Sequence, residues 1–268
     1  MKETGRKAQF DIAEAEAQAW HALLDWRRGN APAALAAAPS AAQGAASLFA
    51  LYGPLLEAQT IAVAHLAQSL DGRIACAGGA SRWLSGEADL LHTHRMRALA
   101  DAVVVGARTV LHDDPLLTVR RCDGDHPVRV VIDPERRLDV RHRVFSDGGA
   151  TLQVVASERA RPGERFGAAE LVPLPCDEAG IDPHAIRAAL AARGLRRILI
   201  EGGGVTISRF LAARALDRLQ LTIAPVLLGS GRPSLTLAEI AEPHHGLRPR
   251  IRRVTLGEDV MFECVFDG

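Results

Sequence analysis

Residues Arg196 to Asp217 gather the most chemistry into the shortest span: Arg-Arg-Ile-Leu-Ile-Glu-Gly-Gly-Gly-Val-Thr-Ile-Ser-Arg-Phe-Leu-Ala-Ala-Arg-Ala-Leu-Asp. The apolar run Ile198-Leu199-Ile200 predicts a buried strand. Glu201 ends it, at the strand end where open α/β sheets bind ligands. Gly202, Gly203 and Gly204 let the backbone turn sharply and approach a ligand closely. A helical pattern follows, whose free N–H groups favour a phosphate. Ile207 stands where a dinucleotide fingerprint has its third glycine, so a plain strand–turn–helix remains the competing interpretation.

A second group of polar residues follows two other strand ends. Ser69-Leu70-Asp71-Gly72-Arg73-Ile74-Ala75 carries an Asp-Gly turn signal. Ser81-Arg82-Trp83-Leu84-Ser85-Gly86-Glu87 resembles a helix start, with Ser85 as N-cap and Glu87 in the first turn. His92, His94, Arg95 and Arg97 lie along that helix. After an apolar run at Ala102–Gly106 comes Ala107-Arg108-Thr109-Val110-Leu111-His112-Asp113-Asp114-Pro115-Leu116-Leu117-Thr118-Val119-Arg120. Loops at successive strand ends are a common way to build a site on a rigid sheet. Each residue also has a plainer interpretation. Arg97 fits a solvated helix face, Arg120 a loop ion pair, Trp83 a core aromatic, and Asp113-Asp114-Pro115 a turn or cap.

The elements that must position these groups alternate from Thr60 onward. Strands are predicted at Ile61–Leu66, Ala102–Gly106, Val128–Ile132, Thr151–Val155, Glu170–Pro173, Ile198–Glu201, Arg218–Ala224, Arg250–Leu256 and Val260–Phe266. Helices are predicted at Gly86–Ala100, Asp182–Arg193 and Val205–Ala215. Gly257-Glu258-Asp259 joins the last two strands as a hairpin. The expected fold is α/β: a mostly parallel sheet with an antiparallel C-terminal hairpin and helices on both faces. Residues 1–57 read as an extension outside a 58–268 domain. Within it, Asp11–Arg28 has helical spacing, Ala31–Ala46 is an Ala/Pro/Gly connector, and Leu48–Leu56 is a short apolar segment. Residues 1–45 are expected to be dispensable for folding.

The 268 residues carry 32 basic and 32 acidic side chains, so no strong field draws the chain to nucleic acid or an anionic membrane. Cys76, Cys122, Cys176 and Cys264 are scattered, with no C-x-x-C pair, which argues against a metal site or a disulfide scaffold. A cytoplasmic protein with reduced thiols is expected. The His-x-Glu and Pro-Cys-x-x-Cys pattern of a zinc deaminase does not occur.

Ser-Leu-Asp-Gly-Arg-Ile-Ala, Ser-Arg-Trp-Leu, Val-Gly-Ala-Arg-Thr-Val-Leu-His-Asp-Asp-Pro-Leu-Leu-Thr-Val-Arg, Val-Ile-Asp, Glu-Gly-Gly-Gly and Ala-Pro-Val-Leu-Leu-Gly occur here in one order. Over Thr60 to Phe266 the chain thereby resembles the riboflavin-biosynthesis pyrimidine reductases. That family is the reductase half of the bifunctional deaminase–reductase and has a dihydrofolate-reductase-like fold. The resemblance implies a stand-alone reductase, a homodimer, in which NADPH delivers a hydride to C1′ of an aminopyrimidine ribosylamine 5′-phosphate. It implies Ser81, Arg97, Leu117, Arg120 and Glu201 as substrate contacts. For the cofactor it implies Ala67, Trp83, Thr109, Asp113 and the stretch Gly203, Gly204, Val205, Thr206, Ile207, Ser208 and Arg209. Asp113 and Glu201 are the expected catalytic groups. Where the family often has a small hydroxyl residue after Val-Ile-Asp133, this chain has Pro134. Arg136 or Arg137 is then the expected partner of a 2′-phosphate.

Overall fold

The computed structural model describes residues 2–31, 43–161 and 163–266, with side chains from Glu14 in the first helix and from Ala46 in the second. The chain opens with helices α1 (Lys2–Arg27) and α2 (Gln43–Glu57), then strands β1 (Ile61–Ser69) and β2 (Arg73–Ala75). Next come α3 (Glu87–Leu99), β3 (Ala102–Gly106), α4 (Ala107–Asp113), β4 (Val128–Ile132), α5 (Arg143–Ser146) and β5 (Thr151–Ala156). Short strands β6 (Arg165–Phe166), β7 (Ala169–Leu174), β8 (Cys176–Asp177) and β9 (Gly180–Ile181) lead to α6 (Pro183–Ala191). The chain closes with β10 (Arg197–Glu201), α7 (Gly204–Ala212), β11 (Arg218–Ala224), β12 (Arg232–Pro233) and the hairpin β13 (Arg250–Leu256) and β14 (Asp259–Val265).

The main sheet runs β13-β14-β11-β1-β10-β3-β4-β5-β7-β6. Its seven strands from β11 to β7 are mutually parallel, while β14, β13 and β6 pair antiparallel. This is the expected α/β architecture. Strands buried on both faces read as unbroken apolar runs, which is why β3 and β4 lie where the sequence predicts them. Alternate residues face opposite layers. Ala62, Ala64, Ile198 and Ile200 pack with Leu190, Ile207 and Phe210 of α6 and α7. Val63, Val103, Val105 and Leu199 pack with Met96 and Leu99 of α3.

That second layer extends into residues 1–57, contrary to the expectation of a dispensable arm. Ala19, Trp20, Leu23 and Leu24 of α1 and Leu48, Leu51, Tyr52, Leu55 and Leu56 of α2 are all buried in the same core as α3. Both sets recur at helical spacing, so each helix buries one stripe. Trp20 donates its Nε1–H to the Asp123 carbonyl at 3.1 Å and meets Tyr52 edge-on at 5.8 Å. Arg27 lies 2.9 Å from Asp101, whose carboxylate also accepts the Arg196 and Arg197 backbone N–H groups. Residues 32–42, most of the expected connector, lie outside those described, and α2 begins within the rest of it.

Tyr52 also ties α2 to a chain of hydrogen bonds crossing the sheet. Its hydroxyl lies 2.8 Å from His92 Nδ1, and His92 Nε2 lies 2.9 Å from Gln220 Oε1. The Gln220 amide donates to Glu263, which Arg218 and Arg252 neutralise. Gln220 Oε1 must accept, so His92 Nε2 carries the proton and Tyr52 donates to Nδ1. Burial, the nearby His65 and Arg95 keep His92 neutral, its pKa lowered to about 3.

Deleting residues 1–45 strips Trp20, Leu23 and Leu24 from the face of α3, so the truncated chain should lose its cooperative thermal transition in circular dichroism. Trp20→Ala should destabilise by about 3–5 kcal/mol. Tyr52→Phe leaves a buried acceptor unpaired and should cost about 1–3 kcal/mol in denaturant unfolding.

Candidate active site

A cavity of about 940 Å³ opens at the C-terminal ends of the central parallel strands. Leu66 and Ala67 of β1, Gly106 of β3 and Ile132 of β4 line its sheet end. The turn from Gly202 to Thr206, the loop from Ser81 to Ser85, and α4 surround it. Ile181, Pro183, Ile186 and Phe210 make one end apolar. The size and the mix of apolar walls with a few polar groups suit an extended small molecule.

The glycine turn is shaped for close approach. Gly203, with φ 63°, precedes α7, which has no side-chain cap, so its first N–H groups remain available to an anion. A Cβ on Gly204 would stand 2.0 Å from the Ser234 carbonyl oxygen, so no larger residue fits. Of the expected cofactor residues, Ala67, Trp83, Thr109, Asp113, Gly203, Gly204, Val205, Thr206 and Arg209 line the cavity. Ile207 and Ser208 do not. The helical turn carries Ile207 into the core under the sheet, and Ser208 Oγ accepts the Thr236 backbone N–H at 2.8 Å. Trp83 is no core aromatic: it is 85% exposed at the rim, with φ 67°.

Five arginines line the cavity: Arg82, Arg108, Arg137, Arg209 and Arg232. Arg209 donates to the Ile181 carbonyl at 3.0 Å. The two arginines after Pro134 part company. Arg136 is taken by Glu164 and the Arg159 carbonyl, each at 2.8 Å, and does not line the cavity. Arg137 does, and its side chain is exposed. Asp133 is a brace: its carboxylate accepts the backbone N–H groups of Arg137 and Leu138 and the Gln153 amide.

The expected substrate residues fall in two groups. Ser81 lines the cavity, 3.5 Å from the Asp113 carboxylate. Arg97 and Glu201 lie deeper and do not line it. Arg97 is not on a solvated face: Nε and Nη2 fork onto the two Glu201 oxygens at 2.7 and 2.6 Å, and Nη1 donates to the Thr118 carbonyl. Both residues are buried. Burial works against the charged guanidinium, but Glu201 more than offsets it and holds Arg97 more basic than usual. Thus the expected free phosphate fork and free ring contact are, in this structure, each other's partner.

Arg120 is exposed; its side chain bonds Thr118 Oγ1 at 2.7 Å, and its backbone N–H meets His94 Nδ1. Partial burial and the neighbouring Arg97, Arg143 and Arg121 lower its pKa. The same surroundings, burial first and then Arg97 and Arg120, lower His94 to about 4. Such crowding of cations attracts an anion. Leu117 is buried in the core with φ 56°, leaving only its backbone to reach a ligand. Asp114 fulfils the turn interpretation. It caps α4 in the left-handed region at φ 38°, and its carboxylate accepts the Arg143 backbone N–H at 2.9 Å. Asp113 is left facing the cavity.

Ser85 is not the α3 cap; Gly86 is, and the Ser85 hydroxyl goes to Asp89. The loop motifs explain one another: the Asp71 carboxylate accepts the Leu228 and Gly229 backbone N–H groups at 3.1 and 2.6 Å. Those two bonds and one from Ser69 Oγ, the largest influence, lower Asp71 to about 2. Sequence reasoning missed a row of polar side chains across five strands. Arg252, Glu263, Gln220, His65 and Glu201 are consecutive register partners on the face beneath α3. The available signal was the polar residue recurring at inward positions of otherwise apolar strands, as in Val63, His65, Ala67.

The sequence model of the RibD C-terminal domain family matches residues 61–260. The chain is 37% identical over 217 residues to the 2,5-diamino-6-ribosylamino-4(3H)-pyrimidinone 5′-phosphate reductase of Methanothermobacter thermautotrophicus, covering 77% of this chain and 98% of that protein. It is 33% identical to the riboflavin biosynthesis protein RibD of Mycobacterium tuberculosis, covering 80% of this chain but 58% of that longer protein. The solved Thermotoga maritima deaminase/5-amino-6-(5-phosphoribosylamino)uracil reductase superposes with a TM-score of 0.65 at 28% identity, over 82% of this chain and 59% of that one. With the cleft, the glycine turn and the ordered motifs all in the matched region, the chain belongs to the RibD C-terminal domain family, the pyrimidine reductases of riboflavin biosynthesis.

Proposed function

We propose that the chain reduces 5-amino-6-(5-phosphoribosylamino)uracil to its ribitylamino phosphate with NADPH. The observation that carries this is the continuity of the cavity. It runs from the free Arg137 and the uncapped start of α7 to Ser81 and Asp113. Pyrophosphate would lie on the Gly203–Thr206 backbone, the adenine against Ile181, Pro183 and Ile186, and the 2′-phosphate at Arg137. Gly204 packs against the Ser234 backbone too closely for any Cβ, which fixes the turn in that position. NADPH, when bound, supplies the hydride for C1′ of the open-chain substrate. The chain's own residues position the two partners and hold charge. Ser81 and the cations Arg97 and Arg120 are assigned to the substrate's phosphate end, with Leu117 as a backbone contact. Asp113 faces the reacting region, where it orients the nicotinamide or handles a proton.

A second reading has an observation of its own. The archaeal relative, matched over nearly its whole length, is named for the diaminopyrimidinone phosphate, so that compound is the alternative substrate. We place the activity in the cytoplasm and in a homodimer, as family resemblance implies. Among the described residues no helix is long and apolar enough to cross a membrane.

Following loss of reduced-nicotinamide absorbance with each pyrimidine phosphate decides between the substrates, and no oxidation with either sinks the proposal. Arg137→Ala should lower kcat/KM for NADPH about tenfold to a hundredfold and leave that for NADH unchanged. Gly204→Ala should weaken NADPH binding, followed by fluorescence titration, at least about tenfold, because the Ser234 backbone must move.

A further inference from the structure

His65 is a buried imidazole in the middle of the polar row, on β1. It is 6% exposed, and its Nδ1 is fully buried with no hydrogen-bond partner. Its other nitrogen, Nε2, lies 3.3 Å from Asp89 Oδ1. Asp89 is fixed in turn: Thr222 Oγ1 donates to it at 2.6 Å, and so does the Ser85 hydroxyl at the cavity wall. A carboxylate only accepts, so Nε2 carries a proton. Burial disfavours the charged ring, while Asp89 and the nearby Glu201 favour it, and the balance raises its pKa. A buried ring nitrogen left without a partner is costly unless another state uses it.

His65 and Glu201 are direct register partners on adjacent parallel strands, side by side beneath α3. Strands lie about 4.8 Å apart, and register partners point to the same face. Glu201 is at present held on both oxygens by Arg97. If Arg97 turns to a substrate phosphate, as the proposed function requires, a buried carboxylate is stranded, and leaving one partner of a buried ion pair uncompensated is strongly destabilising. We propose that His65 is a positioning residue that takes over Glu201 when Arg97 moves to the substrate's anion. The ion pair opens without leaving a bare buried charge, and Glu201 keeps one oxygen bound and one free for the pyrimidine. The handover rests on the reading of Arg97 as a substrate contact.

The test is nitrogen NMR of the histidine rings in the full-length chain, with the His65 signal assigned by its loss in His65→Gln. Adding the pyrimidine phosphate that is turned over should move the Nδ1 resonance to a charge-assisted hydrogen-bonded position. NADPH alone should leave it in place, and the shift should vanish in Glu201→Gln. In kinetics, His65→Phe should lower kcat at least about tenfold with the KM for NADPH unchanged, and His65→Gln, which keeps a donor, should retain more activity. An Nδ1 resonance that stays still while substrate is turned over overturns the handover, as does wild-type kcat in His65→Phe. Arg97→Ala separates the two levels: an unchanged substrate KM removes the role of Arg97 and the handover with it. A raised KM beside a motionless His65 signal leaves the functional reading standing and removes the handover alone.

Discussion

A carboxylate at the end of a central buried strand cannot be left alone, and much of the molecule is arranged around that fact. Glu201 closes β10, between β1 and β3, where water is largely excluded. Its neutralisation by Arg97 fixes α3 across the sheet, because a bidentate pair sets both distance and orientation. The same helix brings Asp89 to His65 and His92 to Gln220. One helix therefore buries polar side chains that pair with three of the five residues in the polar row on the strands: Glu201, His65 and Gln220. The apolar remainder of that layer is completed by α1 and α2. They are structural partners of α3, joined to its polar stripe through Tyr52.

Two regions of positive charge follow from different local causes. At the cavity the cations project from loops, short helices and β12 around a glycine turn, and Arg82, Arg108, Arg137 and Arg232 are exposed to solvent and to a long ligand. Near Arg97 and Arg120 they are crowded and partly desolvated, which lowers the proton affinity of Arg120 and His94 while Glu201 keeps Arg97 basic. The first arrangement suits an occupant that comes and goes with its own charge. The second stores repulsion that a bound anion relieves.

How much of this was legible follows from what each signal depends on. Strands buried on both faces were readable because their entire surface is apolar, and the hairpin because Gly257 and Glu258 mark its turn. α4 was hidden: Ala107–Asp113 buries only Val110, so no periodic stripe shows. The helices of residues 1–57 were discounted because an Ala/Pro/Gly stretch separates them from the alternating pattern, although their apolar stripes were present. The family resemblance offers the residues after the glycine turn as a block, whereas a helix shows a ligand only some of its positions; Val205, Thr206 and Arg209 face the cavity and Ile207 and Ser208 turn away. The Arg97–Glu201 pair spans 104 residues, and no local pattern encodes a partner that distant. Asp113 and Asp114 are alike in type and adjacent, and the left-handed backbone at Asp114 makes it the brace and leaves Asp113 facing the cavity.

The insertion of β10 between β1 and β3 sets the order in which the molecule becomes itself. Ala62 on β1 binds the Asp217 carboxylate 155 residues later, so the first strand stays without its central neighbours through most of synthesis. Contacts of such long range form slowly, because the loop between them must close first. A nascent chain stopped before β10 would display two parallel strands with open edges, the surfaces most prone to pair with other chains. The cleft, the ion pair and the polar row all lie on that late seam. Completion of the sheet and assembly of the site depend on the same strand, so a product that stops before β10 lacks Glu201 and the glycine turn together.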